Sequence, residues 1–261
     1  MKKAWTPFAH PQAAFDYAGA SLARHWPRLH RGDCEPYPQS EPVREAWRAF
    51  HRGDFQVAWE KGSHAGPPGS LASAKAAATY ATYLERDKAN AASLLQHAAE
   101  LCEKARSALP EHANAHYLLA CCLGRYAQNI SVTRALRDGV APRVKEALDR
   151  AVALEPRHAE AHIALGTYHA EVIGKLGALV GNLTYGASEA QARAHYRKAL
   201  ALHPDCAIAK LEYACGLMLL GDDNVREARK LLAQAAKTRP ADATEQLDAE
   251  RAKARLEALE T

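Results

Sequence analysis

Apolar residues recur along the chain at three- and four-residue spacing, and long stretches are rich in alanine and poor in β-branched residues. Side chains at i, i+3, i+4 and i+7 share one face of a helix, so this pattern predicts amphipathic helices throughout. Alanine, with no rotamer entropy to lose, strengthens that reading. The stretch EAWRAFHRGDFQVAWEKG (45–62) predicts a short helical hairpin turning at Gly53–Asp54, with Trp47, Phe50, Phe55 and Trp59 packed across it. GPPG at 66–69 predicts a break. The alanine-rich run at 71–109 predicts the next hairpin. At the far end, ATEQLDAERAKARLEALE (243–260) predicts a charged helix with a thin apolar stripe at Leu247, Leu256 and Leu259, suited to a polar cap.

Prolines expose a repeat inside this pattern. ARSALPEH, AVALEPRH, ALALHPDC and AAKTRPAD place Pro110, Pro156, Pro204 and Pro240 46, 48 and 36 residues apart. Each proline follows one alanine-rich helix and precedes another, where it stops the first and opens a tight turn. Periods of this size predict stacked helical hairpins.

The residues around those turns resemble the tetratricopeptide repeat (TPR). Leu165 and Gly166 stand where that family packs Leu-Gly in its first helix, and Ala192, Tyr196 and Ala199 where its second helix carries Ala, an aromatic and Ala. Leu119, Ala120, Leu148 and Ala151 fit the preceding unit; Ala214, Leu217, Ala228, Leu232 and Ala235 fit the following one. Small residues let paired helices approach, and large ones fill the groove between hairpins. The resemblance implies an all-α fold: a TPR-like right-handed α-solenoid of antiparallel hairpins. The expected organisation is an aromatic-rich helical cap (1–65), repeats over 66–240 (about 71–110, 111–156, 157–204 and 205–240) and a capping helix (241–261).

Against a TPR period of about 34 residues, two units are too long, by about 12 and about 14. The surplus falls between the helices of each hairpin, as QNISVTRALRDGVA (128–141) and GKLGALVGNLTYGA (174–187). Each has an apolar patch, then a glycine (Gly139, Gly186) and an alanine (Ala141, Ala187) before a helix start; Ser188 is the expected N-cap of the second. This long-hairpin layout, over roughly residues 71–240, is similar to the regulator of microtubule dynamics family and to the T component of TRAP transporters. The two insertions are expected to be ordered, partly helical and folded onto one another. Ile130, Val132, Leu136, Leu176, Leu179, Val180, Leu183 and Tyr185 would then be covered.

Composition narrows the function. Hydrophobic residues make up 48% and charged residues 25%, an ordinary globular balance, and a net charge of +4 is too small to imply nucleic acid. No apolar run follows Lys2 and Lys3, and no uninterrupted apolar stretch is long enough to span a bilayer, so neither a signal peptide nor a membrane span is predicted. The six cysteines form no CxxC pair and read as small buried residues of a reducing compartment, which places the protein in the cytoplasm. All four tryptophans and all four phenylalanines precede residue 60, as expected of large side chains sealing a solenoid end, with an aromatic binding patch as the alternative.

Candidate chemistry is sparse. The glycines at 174, 177, 181 and 186 match no phosphate-binding loop, and no GxSxG elbow occurs, so no catalytic residue and no cofactor is expected. His112/His116 and His158/His162 have the i, i+4 spacing of zinc ligands. Both pairs occupy one repeat position, however, and lack further ligands, which points to a structural role. His169 is read as a satisfied core histidine, with a polar site formed by His169 and Glu171 near the second insertion as the alternative. Arg125, Arg134, Arg137, Arg143 and Lys145 make a basic face around the first insertion, read as solvated, with an anion or acidic-peptide site as the alternative.

In a TPR array the first helices line the concave surface. By position that row is Asn114, Tyr117, Cys121 and Arg125; Glu160, Ile163, Thr167 and Glu171; Ile208, Leu211, Cys215 and Met218. Arg134, Leu136, Arg137, Leu176, Leu179, Leu183 and Tyr185 would form an insertion rim. The lysines and asparagines of the TPR clamp for a terminal carboxylate are missing, so an apolar or amphipathic protein segment is the expected partner, with a small apolar ligand as the alternative. The reading is of a non-enzymatic scaffold. Elemental analysis of the purified protein is expected to show no stoichiometric zinc; one zinc per chain would overturn the structural reading of the histidine pairs.

Overall fold

The computed structural model describes residues 4–259, and every regular element among them is a helix. Lys2 and Lys3, and the last two residues of the expected C-terminal cap, lie outside the described residues. The chain divides into two compact units: residues 1–30, 34–155 and 241–244, and residues 31–33, 156–240 and 245–261.

The first unit contains α1 (Ser21–Leu29), α2 (Glu41–Arg52), α3 (Phe55–Ser63), α4 (Gly66–Tyr83), α5 (Lys88–Ala108), α6 (Ala113–Gln128), α7 (Val132–Arg137) and α8 (Val140–Leu154). The α4 helix packs on α2, α3, α5 and α6 at once. It can do so because small residues dominate it: Ala72, Ala74, Ala76 and Ala77 are wholly buried, and short side chains let neighbours approach from every side. The GPPG stretch is the first turn of α4 and not a loop. Proline is tolerated there because first-turn amides have no partner within the helix. The α5 helix starts at Asp87, whose carboxylate accepts from the amides of Ala89 and Asn90 at 2.8 and 2.9 Å.

The aromatics of this unit form its core. Trp47 and Phe50 are fully buried, Trp26 meets Trp47 edge-on at 6.0 Å, and His30 stacks on Trp26 at 3.9 Å. His51 joins them through its two ring nitrogens: Nε2 lies 3.2 Å from His30 Nε2, and Nδ1 lies 2.8 Å from the Asp242 carboxylate. The Tyr17 hydroxyl donates to the carbonyl of Ala241. Residues 241–242, distant in sequence, are thereby tied to α2 and to the segment before α1 through groups that burial would otherwise leave unsatisfied.

The second unit contains α9 (Ala159–Leu176), α10 (Ala178–Tyr185), α11 (Glu189–Leu202), α12 (Ala207–Leu220), α13 (Val225–Ala235) and most of α14 (Ala243–Glu257). Its organising contact is Tyr196 of α11, 1% exposed, which reaches between α9 and α12. A methyl group on Gly166 of α9 would stand 2.8 Å from the Tyr196 ring, and one on Gly216 of α12 would stand 2.6 Å from its hydroxyl. The two glycines make a notch that the ring fills, and Tyr213 stacks on the ring at 4.8 Å. Leu211, Leu217, Leu231 and Leu232 continue this core, and Ala252, Leu256 and Leu259 close it.

The histidine pairs lock repeat turns. His116 Nε2 donates to the Pro110 carbonyl at 2.8 Å and His162 Nε2 to the Pro156 carbonyl at 3.3 Å, the same six-residue link in two successive repeats. His158 Nδ1 caps α9 by accepting from the Ala161 amide at 3.0 Å. Among the described residues no three His, Cys, Asp or Glu groups converge to hold a metal ion. His162 also places Nδ1 3.0 Å from His195 Nδ1 on α11, and His195 stacks on the wholly buried His169 at 5.8 Å.

Burial lowers the pKa of His162 and the Lys198 charge adds to this, outweighing the Pro156 carbonyl that favours the cation. The unfolded chain therefore binds the proton more readily than the folded one. The stability associated with neutral His162 is complete above its unfolded pKa of about 6.5 and is lost as pH falls through the lower folded value. Melting temperature is expected to fall between about pH 7.5 and about pH 5.5, and His162→Gln should flatten that slope; an unchanged slope would refute the assignment. Gly166→Ala should lower the melting temperature although alanine is the better helix former by about 1 kcal/mol, because overpacking a core costs about 1–3 kcal/mol. A higher melting temperature would mean that the notch has slack.

Candidate functional site

The Tyr196 hydroxyl is buried between α9 and α12. Thr167 Oγ1 lies 2.9 Å from it, and the same threonine donates to Glu212 Oε2 at 3.4 Å. Burial, followed by the negative charge of Glu212 and the nearby Cys215 and Glu171, pushes the Tyr196 pKa well up, against the opposing effect of its hydrogen bond with Thr167. The phenol therefore stays protonated and acts as a fixed hydrogen-bonding group. Around it lie the half-buried Thr167, Glu171, Glu212, Cys215 and Met218, with Glu171 also paired to Lys175 at 2.9 Å. The face combines carboxylates with a soft apolar patch.

Further along the same helices, Glu160 and Ile208 are half-buried. The backbone N–H of Glu160 donates to the Gly32 carbonyl at 2.9 Å, and a methyl group on Gly32 would stand 3.1 Å from the Glu160 carboxylate. The first turn of α9 is thus covered by residues from far upstream. Cys206, just before α12, is pushed up to about 12 by burial, with Glu160, Asp248 and Glu245 adding to the shift. It is an inert thiol.

In the first unit, the corresponding row lies on α6. Asn114 is 2% exposed because its amide donates to Glu35 Oε2 at 2.7 Å; His112 Nε2 approaches the same carboxylate at 3.6 Å. Cys121 and Arg125 are half-buried, and Arg125 donates to Gln128 at 3.1 Å.

Four residues of the expected groove row are therefore interior. Asn114 is enclosed by Glu35, Tyr117 is buried, and Ile163 and Leu211 belong to the core of the second unit. Their spacing along the helix was compatible with either side of the interhelical seam, and packing chose the inner one. The sequence reading missed Glu212 and Glu35. Glu212 follows Ile208 by four residues and precedes Cys215 by three, a spacing that signals a shared face. Glu35 had no local signal, since its partner is 79 residues away.

The insertions are helical, but their burial differs from expectation. Leu179 and Leu183 are 74% and 77% exposed; Val132, Leu136 and Val180 are exposed as well. The α10 helix packs on α9 through Gly181, where a methyl group would stand 3.3 Å from Val172, and this turns Leu179 and Leu183 outward. Gly177 (φ +81°) and Gly186 (φ +62°) allow the sharp turns into and out of it. Leu176 and Tyr185 stay half-buried, and the Tyr168 hydroxyl donates to the Tyr185 carbonyl at 3.3 Å. The α7 helix buries none of its side chains. Its exposed Arg134 and Arg137 both pair with Asp138, at 3.5 and 3.2 Å, while Arg143 and Lys145 pair with Glu103 and Asp149. The basic face is thus neutralised only in part, since Arg134 and Arg137 share Asp138 and Arg143 shares Glu103 with Arg106.

The crystal structure of TTC0263, a thermophilic TPR protein of Thermus thermophilus, is similar at TM-score 0.58 and 18% identity, covering 82% of this chain and 97% of that one. The human IFIT1 dimer with PPP-AAAA is similar at TM-score 0.42 and 15% identity, covering 92% of this chain and 64% of that one. No curated protein matches. No helix among the described residues is long and apolar enough to cross a membrane. Residues 71–260 match the family described as regulator of microtubule dynamics protein 1-3, and the chain belongs to that family.

Proposed function

We propose that the protein is a non-enzymatic scaffold that holds a segment of a partner protein on the α9–α12 face. The observation that carries this is the row of half-buried side chains Thr167, Glu171, Glu212 and Cys215 on α9 and α12, with Thr167 held by the buried Tyr196 hydroxyl at 2.9 Å. Membership of a TPR-like family and a helical-repeat fold support an interaction role in general. The face itself favours an amphipathic segment. Met218 and Cys215 offer polarizable apolar contact, and Glu171 and Glu212 offer acceptors to Lys or Arg side chains.

Panning a displayed peptide library against the immobilised protein is expected to enrich peptides that combine apolar and basic residues. Their affinity should fall with added salt. The E171Q/E212Q variant should weaken them about tenfold, or about 1.4 kcal/mol, while Lys198→Gln on α11 should not. Selected peptides without basic residues, or with affinity unchanged in the double variant, would contradict the proposal.

A further inference from the structure

A second site lies wholly within the first unit. Residues 4–12 carry no regular secondary structure and are mostly exposed, yet two of their side chains are seated in prepared positions. Trp5 stacks on Tyr80 at 4.2 Å and lies 6.2 Å from Trp59. Its backbone N–H donates to Gln56 Oε1 at 2.9 Å, and that of Thr6 donates to the Tyr80 hydroxyl at 3.2 Å. Phe8 is 8% exposed and meets Phe55 edge-on at 6.5 Å. Its seat exists because the α2–α3 turn has a glycine: a methyl group on Gly53 would stand 2.6 Å from the Phe8 ring.

Three features mark this as peptide recognition and not only end-sealing. The contacts run from backbone N–H groups and two anchor rings of a segment without regular secondary structure to side chains of folded helices. The anchors are three residues apart, which in the extended polyproline geometry returns them to one side. Pro7 sits between them and lowers the entropy lost on docking by fixing its own φ. We propose that Gln56, Trp59, Tyr80, Gly53 and Phe55 form a binding site for an extended Trp-Xaa-Pro-Phe-like segment of a partner protein, and that residues 5–8 occupy it in cis as an autoinhibitory strap. A short tether gives the strap an effective concentration of about millimolar, so a partner must outcompete it.

The test uses the full-length chain and a fluorescent peptide of residues 4–12. The W5A/F8A variant, with its strap released, should bind the peptide saturably and at least about tenfold more tightly than the wild type, as the tether argument requires. Adding Gln56→Ala should weaken that binding severalfold. Absence of binding in a W5A/F8A variant of native helical content, or equal binding by the wild type, would overturn the proposal. If that variant fails to fold, amide exchange at Thr6 of the wild type decides: excess unlabelled peptide should accelerate it, and no change overturns the proposal. A doubled mass in sedimentation, with no uptake of peptide, would assign the site to strap exchange between two copies instead and overturn the partner assignment.

Discussion

One aromatic ring passing between two glycines organises the second unit. Tyr196 belongs to α11, yet its ring fills space between α9 and α12 that exists only because residues 166 and 216 have no side chain. Burying a tyrosine costs less when its hydroxyl finds a partner. Here the notch solves that problem by directing the oxygen to Thr167, beside Glu212. A contact that sets helix spacing therefore also sets the chemistry of the adjoining face. The stacking of Tyr213 on the same ring extends the arrangement along α12.

Histidine serves a related purpose at the repeat turns. A proline ends each helix by removing an amide, which leaves carbonyls near the turn in need of donors. His116 and His162 supply one each, reaching back to Pro110 and Pro156. In the first unit, His51 bridges His30 and Asp242 deep in an aromatic core. Imidazole suits both settings because it combines an aromatic body with two nitrogens that can donate or accept.

Much of the helix-rich surface is already occupied by the chain itself. Glu35 covers the start of α6, Gly32 covers the start of α9, and Trp5 and Phe8 fill aromatic seats on the α2–α4 hairpins. Helical-repeat proteins present extended faces because each repeat contacts mainly its neighbours. Segments without regular structure are the natural means of covering such faces. What stays accessible is then a narrower set of residues than repeat position alone would give.

The sequence by itself determined the helical class, the proline-marked repeat and the small–large packing pattern, since these follow from local propensity and periodicity. It also located both insertions, because surplus length within a repeat can be counted. It led to Gly166 and Tyr196 as repeat residues. Tertiary structure decided the rest. Whether Asn114 faces a partner or a buried carboxylate depends on Glu35, and no local pattern couples residues 79 positions apart. Whether Leu179 and Leu183 are covered depends on which side of α10 meets α9, and Gly181, not the leucines, makes that contact. The GPPG stretch could end a helix or begin one, because proline is acceptable in a turn and in a first helical turn alike. Periodicity specifies which residues share a face; only packing specifies what that face meets.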